Sequence, residues 1–457
     1  MKPVRLIRML LWAAALPIAL PTAHAAQLAH ETILADLPVD VEGQRNVFAT
    51  PFAYRNGMVF TVHVEPPAPP GSGKEEMNLR TVVRKGQRQE DGTWRWEEKL
   101  IEARTLRDTW HTQGSIALDR DGYVHVAYNM HNMPWQYAVS RRPYDIGEFA
   151  FRGQALSDEA LATVKFRNKT PFPDIGSAAI PGTQVTYPMF FTDRDGELYL
   201  TYRYALKPAR AWERRAFSGA IARYDVERRA WEPIGGPLVI GRDDAALPRD
   251  VKTATQRPFA FDEGHTVYLI ALAFDHDNGM HAFWNWRPDG AGMETIKPSH
   301  AYSRDGRSFQ RSDGSAYTLP ISFKAAEPIA GAADTRQYYA PKSVAVLADG
   351  TPMLIVEPLT GSREIHTWDR QRQRFVSESA PAAAAEIAVD RQGRQWAFAT
   401  GLRVFMREQP GTTWTEVGQL GSNQCYPRVR YYAAESRFVV HTTSCDGRHA
   451  SMFTFRR

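Results

Sequence analysis

The sequence predicts an all-β fold, a seven-bladed β-propeller of four-stranded antiparallel blades. Three observations carry this reading: a hairpin pattern that recurs seven times, an aromatic residue behind each copy, and a turn-rich, aromatic-rich composition. The 457 residues include 32 Gly, 30 Pro, 22 Phe, 18 Tyr and 12 Trp, which suits short strands joined by tight turns. In chain order the copies are FAYRNGMVFTVHV around Gly57, IALDRDGYVHVAY around Gly122, MFFTDRDGELYLTY around Gly196 and FAFDEGHTVYLIAL around Gly264. SVAVLADGTPMLIV around Gly350, IAVDRQGRQWAFA around Gly393 and VRYYAAESRFVVH around Ser436 follow. The Asn-Gly and Asp-Gly pairs supply the positive φ that a two-residue hairpin demands, so each copy reads as one antiparallel hairpin.

A second, looser pair of strands follows each hairpin. These pairs end in Trp94 or Trp96, Phe149, Trp231, Phe309, Phe375, Trp414 and Phe455, which gives four strands per unit. Residues 302–309, YSRDGRSF, resemble a degenerate Asp-box of the sialidase type, a motif that closes the outer hairpin of a blade. Behind a 25-residue leader, residues 26–457 read as one domain. At about 62 residues per unit, above the ~40 to 50 of a compact blade, long loops are expected on at least one face. PPAPPGSG (66–73) and APAAAAE (380–386) are expected between strands. The outer pair at Phe309 fills the long interval from Gly264 to Gly350, so no eighth blade is needed.

The leader is read from Lys2, Arg5 and Arg8, an apolar run over residues 9–20, and Ala23-His24-Ala25 as a small-x-small cleavage site. It directs the chain to the periplasm or out of the cell. That run is too short and too Pro-interrupted to span a bilayer, and no other stretch approaches ~18 uninterrupted apolar residues. The net charge of +5 includes the three leader cations, which leaves +2, so nucleic acid is not an expected partner. Cys425 and Cys445, in a chain bound for an oxidising compartment, are expected to pair. The alternative is a thiolate zinc site completed by His281 or His449.

DRDG at residues 119–122 and 193–196 lacks the later positions of a calcium loop, and a turn explains both. DHDNG at 275–279, followed by His281, is the better metal candidate, although such a stretch is more often a turn. A structural calcium or zinc ion stays open, and no cofactor is required. No Walker loop, GxGxxG after a strand, HExxH or GxSxG is present, which leaves nucleotide, zincin and α/β-hydrolase chemistry without support.

In a blade the inner strand and its neighbour run antiparallel, so the start of the first and the end of the second share one face. His111 precedes the inner strand of the Gly122 unit and His131 follows its second strand. Tyr187 precedes the inner strand of the Gly196 unit and Arg203 ends its second strand. Two adjacent blades thus bring His111, His131, Tyr187 and Arg203 to one rim as the candidate catalytic set. Arg257, Tyr339 and Tyr426 stand at comparable positions in later units and complete the ring as candidate substrate-binding residues. Each of the four alone has an ordinary structural reading, and it is their convergence that points to chemistry.

At these residues the sequence resembles the secreted BNR-repeat propellers that include the ulvan lyases and the rhamnosyl-glucuronate lyases acting on plant gum. The resemblance rests on WHTQGSIALDRDGYVHVAYNMHNMPWQYAVS, residues 110–140, and TYPMFFTDRDGELYLTYR, residues 186–203. Two histidines stand twenty residues apart, then comes a Tyr-Pro, then an arginine sixteen residues after that tyrosine. The chain departs from the pattern in KPARAWERRAFSG, residues 207–219. What the resemblance implies is β-elimination on an acidic polysaccharide or oligosaccharide. Arg203 would hold the uronate carboxylate, His111 and Tyr187 would serve as base and acid in either order, and His131 would hold or polarise the site. A monomer is expected. Hydrolysis by a typical glycosidase needs two flanking carboxylates, absent at the matched positions. A sialidase-like arginine triad would be only partly supplied by Arg203 and Arg257, and a non-catalytic glycan-binding propeller is the remaining alternative.

Overall fold

The computed structural model describes residues 28–40, 48–66, 79–105, 111–133, 135–152, 183–205, 217–239, 255–288, 294–331, 334–339 and 343–456. Their strands form a seven-bladed propeller of antiparallel sheets. From the axis outward, blade 1 is Phe52–Arg55, Met58–Glu65, Leu79–Arg88 and Trp94–Thr105, and blade 2 is Ser115–Leu118, Val124–Ala127, Tyr137–Ser140 and Phe149–Phe151. Blade 3 is Thr183–Thr192, Leu198–Ala205, Phe217–Asp225 and Ala230–Ile234; blade 4 is His265–Phe274, Met280–Pro288, Ile296–Ser303 and Glu327–Pro328. Blade 5 is Ser343–Val346, Pro352–Val356, Glu364–Asp369 and Arg374–Ser379, and blade 6 is Glu386–Val389, Gln395–Phe398, Arg403–Arg407 and Thr415–Gln419. Blade 7 takes Gln424–Tyr432, Arg437–Ser444 and His449–Arg456 from the end of the chain, and its outer strand, Glu31–Pro38, from the start. Pairing the two ends of the chain in one sheet closes the ring, a closure the sequence reading did not contain.

Local turn chemistry sets most inner hairpins. Asn56 and Gly57, at φ +53° and +72°, make the expected two-residue turn. The Asp-Gly turns are one residue longer than expected: Asp119 N–H donates to the Tyr123 carbonyl and Gly122 N–H to the Asp119 carbonyl, with Gly122 left-handed at φ +87°. The same bonds span residues 193–197, 275–279, 347–351 and 390–394. Where an aspartate leads, its carboxylate caps the turn. Asp193 accepts from the N–H of Asp195 and Glu197, Asp275 from Asp277 and Gly279, and Asp390 from Gln392 and Arg394. DRDG and DHDNG are therefore turns whose acids are engaged by backbone donors.

The turn at 275–279 corrects the fourth repeat. Gly264 lies in a loop, the residues read as that unit's second strand are its inner strand, His265–Phe274, and the hairpin follows them. The Asp-box closes as expected, with the Asp305 carboxylate accepting from the N–H of Arg307 and Ser308 and with Phe309 buried. Phe149, Trp231, Phe375 and Phe455 are buried too, each contributing ~2 to 3 kcal/mol of apolar burial, while Trp94, Trp96 and Trp414 are half-buried. Residues 380–385 join blades 5 and 6. A disulfide links Cys425 to Cys445 and replaces the zinc alternative at those cysteines. No helix among the described residues is long and apolar enough to cross a membrane. The expected leader (1–25), Trp110, most of 66–73 and most of 207–219 lie outside the described residues.

Two buried histidine pairs make an experimental handle on stability. His63 of blade 1 and His441 of blade 7 face each other at 3.0 Å between their Nε2 atoms, and His281 and His300 of blade 4 lie 3.0 Å apart. Burial pushes His63 far below the ordinary imidazole pKa, with His441 and Arg84 adding to it. Burial and Arg428 push His441 down to about 3, and burial and His300 push His281 down as well. An unfolded chain takes up protons on His63, His441 and His281 below about pH 6.5, whereas in the native protein these three rings stay neutral. Their contribution is thus complete above about pH 6.5 and declines toward acid by about 1.4 kcal/mol per pH unit for each ring, until its folded pKa is reached. The thermal midpoint is expected to fall between about pH 7 and 4.5, and less steeply in His63→Gln. Equal slopes for the variant and the unmodified chain would contradict this.

Candidate active site

A corner between blades 2 and 3 gathers the predicted quartet. His111 stands four residues before the inner strand Ser115–Leu118. After the second strand of blade 2 the chain turns through Asn129 and Asn132, both left-handed (φ +52° and +56°), and leaves its own blade. His131–Met133 then pairs antiparallel with the inner strand of blade 3, His131 opposite Thr186. The Thr186 hydroxyl fixes this crossing, accepting from Asn132 N–H at 2.8 Å and donating to Asn132 Oδ1 at 2.9 Å. His131 is thereby delivered beside the residue that follows Thr186, which is Tyr187.

Tyr187 sits on a β-bulge. Thr186 pairs with Arg203 and Met189 with Thr201, so the inner strand spends one more residue than its partner, and Tyr187 takes φ +58°. Its ring becomes the hub of the site. The His111 and His131 rings stack at 3.8 Å and 10°, and their centroids lie 5.7 Å and 6.4 Å from that of Tyr187. Phe48 stacks on Tyr187 at 4.4 Å, and the Tyr187 and Tyr268 hydroxyls are 3.2 Å apart. Both imidazoles are half-buried, whereas Tyr187 is 2% exposed, so it is not the open-rim side chain the repeat alignment implied. Burial raises the Tyr187 pKa well above that of an ordinary phenol; Tyr268 adds to the rise and Arg203 opposes it. The hydroxyl is held protonated.

Arg203 lies beneath, 5% exposed, with its guanidinium carbon 4.5 Å from the Phe217 ring, 4.7 Å from Tyr187 and 5.2 Å from Tyr268. Its Nε and Nη1 have no hydrogen-bond partner, and no carboxylate among the described residues pairs with it. Three aromatic faces return ~1 to 2 kcal/mol each, while an unpaired buried charge costs several kcal/mol.

The proposed substrate-binding residues divide. Tyr339, 42% exposed, stands four residues before the inner strand of blade 5, and its N–H donates to the Glu357 carbonyl at the end of the second strand. Tyr426 lies on the inner strand of blade 7 in a bulge like that of Tyr187, at φ +53° and beside the disulfide. Arg257 is a correction. It is exposed at the outer edge of blade 3, where the next residue's carbonyl accepts from Gly236 N–H just past Ala230–Ile234, because the fourth unit is displaced by one strand. In its place blade 4 supplies Tyr268 and Arg287, the latter 5.6 Å from the Tyr268 ring, and blade 1 supplies Phe48. No group of three or more metal-binding side chains is found among the described residues.

The sequence profile of the BNR repeat-containing family matches residues 77–383. No curated protein matches the chain. Among solved structures, the polysaccharide lyase Uly1 is similar over 96% of this chain and 94% of its own, at 12% identity and a TM-score of 0.62. A PL25 ulvan lyase bound to -[GlcA(1-4)Rha3S]- is similar over 93% of this chain and 95% of its own, at 12% identity and a TM-score of 0.58. At such identity the likeness is one of fold. The profile match covers more than half of the chain, and the chain belongs to the BNR repeat-containing family.

Proposed function

We propose that the protein is an exported polysaccharide lyase that cleaves a uronic-acid polymer, of the ulvan or rhamnosyl-glucuronate kind, by β-elimination. One observation carries the proposal: a buried guanidinium with no anionic partner among the described residues lies directly against a phenol held protonated and close to a pair of imidazoles. In the reaction the Arg203 fork takes the uronate carboxylate. It stabilises the charge that spreads onto that group as C5 loses its proton, more than it stabilises the ground state. A His111 ring nitrogen accepts the C5 proton, the C4–O bond breaks as the C4=C5 double bond forms, and the Tyr187 hydroxyl gives its proton to the leaving oxygen. Burial of the Tyr187 hydroxyl favours this order of acid and base. His131, stacked on His111, holds the base in place. The lyase assignments of the two similar structures agree with the reading, and the leader pattern agrees with export.

Incubation with ulvan and with rhamnosyl-glucuronate polymers is expected to yield a product absorbing in the ultraviolet band of an unsaturated uronate. New reducing ends without that band would mean hydrolysis, and binding without cleavage would mean a lectin-like propeller. His111→Ala and Tyr187→Phe are each expected to lower kcat on the order of 100-fold, the usual scale of a lost general base or acid. Phenylalanine keeps the ring that packs on Phe48, so the Tyr187→Phe midpoint should move by only a few degrees. Near-normal turnover in either variant would remove that residue from the mechanism.

A further inference from the structure

On the opposite face, between the outer parts of blades 2 and 3, lies a cleft of about 170 Å³ whose lining includes Arg141, Arg152 and Arg229 above Tyr137, Tyr224 and Trp231. It is remote from the quartet because the Asp119–Tyr123 turn on its wall joins the far ends of the strands whose near ends carry His111 and His131. All three arginines are exposed. Arg152 and Arg229 form no ion pair among the described residues, and Arg141 reaches only the exposed Glu148, at 3.9 Å. Arg229 instead lies over the Tyr123 ring at 5.2 Å. Two carboxylates also line the cleft. Asp121 is exposed at the rim, but Asp119 is turned inward, accepting from Tyr123 N–H at 2.8 Å and meeting His125 Nε2 at 3.1 Å. The other nitrogen of His125 lies 2.5 Å from the Tyr137 hydroxyl, so the floor is a fixed Asp-His-Tyr chain. The rings of Tyr137, Tyr224 and Trp231 are themselves buried, and Arg229 also donates to the Tyr123 hydroxyl at 3.3 Å. The cleft therefore presents two exposed guanidinium forks, those of Arg152 and Arg229, that have no ion pair among the described residues, and such forks hold a carboxylate or sulfate by paired hydrogen bonds.

We infer that this cleft is a second, non-catalytic site that binds one anionic sugar unit of the polymer through Arg152 and Arg229. The inference rests on the substrate class proposed above. A remote anchor raises the effective concentration of a long chain at the catalytic rim and does nothing for a substrate too short to reach both. Arg152→Ala/Arg229→Ala is thus expected to raise KM for polymeric ulvan about tenfold, to leave kcat unchanged and to leave turnover of a tetrasaccharide within about twofold. Arg304→Ala/Arg307→Ala, which removes two exposed arginines elsewhere, is the charge-matched control and should behave like the unmodified chain.

Binding is read separately, by retardation of the full chain in native gels containing ulvan, in an Arg203→Met background that silences the catalytic site. Retardation should fall about tenfold in the Arg152/Arg229 variant and not in the control. Carboxyl-reduced and desulfated ulvan then tell which anion is held, by which of the two loses retardation. Equal retardation of variant and control, or retardation that survives removal of both anions, overturns the second site. Absence of an unsaturated product, with retardation still dependent on Arg152 and Arg229, overturns the lyase reading and leaves the site standing.

Discussion

Replacing Arg203 by Met is expected to lower kcat/KM on a uronate polymer about a thousandfold while leaving the thermal midpoint unchanged or raised. The two effects have one cause. In the free protein the guanidinium is nearly sealed from water, with two of its nitrogens lacking hydrogen-bond partners among the described residues. An unbranched apolar side chain keeps the contacts with Tyr187, Phe217 and Tyr268 and removes the charge, a change worth ~1 to 3 kcal/mol in favour of folding. In the transition state the same guanidinium would hold the carboxylate as charge builds on it, and losing such a preorganised donor costs ~3 to 4 kcal/mol, which is the activity lost. Arg203→Lys should fall between, since an ammonium cannot make the paired planar contact. Calorimetry and initial rates on the same preparations check both halves. A midpoint lowered by more than about 5 °C would make Arg203 a structural cation, and retained activity would remove the carboxylate contact from the mechanism.

The inner hairpins of blades 1, 2, 3, 5 and 6 were legible because each depends on residues a few positions apart: a left-handed Asn or Gly, in most of them an aspartate that caps the turn, and alternating apolar residues on either side, whereas blade 7 was legible from the apolar alternation around a turn closed by a left-handed Ser436, at φ +47°. The fourth was not. Its turn is closed by Asn278 at φ +62° with no glycine in the expected place, and FAFDEGH upstream imitates the pattern. That one-strand displacement sent Arg257 to the outside and concealed Tyr268. The ring closure had no local signal either, since Glu31–Pro38 pairs with residues more than four hundred positions away. Phe48 was within reach: it precedes its inner strand by four residues, as His111 and Tyr339 precede theirs. The bulge at Tyr187 leaves only the Tyr-Pro dipeptide as a trace. The same dipeptide at Tyr426 carries the same bulge, consistent with a proline that cannot donate to the ladder and sits where the register slips.

Carboxyl reduction of an active polymer, converting its uronates to neutral primary alcohols, is expected to abolish cleavage altogether. Elimination needs the C5 proton to be acidified by the adjacent carboxyl group, and without that group neither His111 nor Arg203 has anything to act on. Hydrolysis at the anomeric carbon passes through an oxocarbenium-like state that needs no such neighbour, so a glycosidase would tolerate the change far better. The methyl ester separates the two functions of the carboxyl group. It still acidifies C5 but carries no charge, so it should be cleaved with a large loss by the unmodified chain, which would forfeit the ionic contact with Arg203. In Arg203→Met, where that contact is already gone, the ester and the free acid should differ far less, and the ester, with the more acidic C5, should become the better of the two. Reducing ends released from the carboxyl-reduced polymer at an undiminished rate would exclude elimination, whatever the quartet's geometry. A preference for the free acid over the ester left unchanged by Arg203→Met would assign the carboxylate to another cation, with Arg287 beside Tyr268 the next to test.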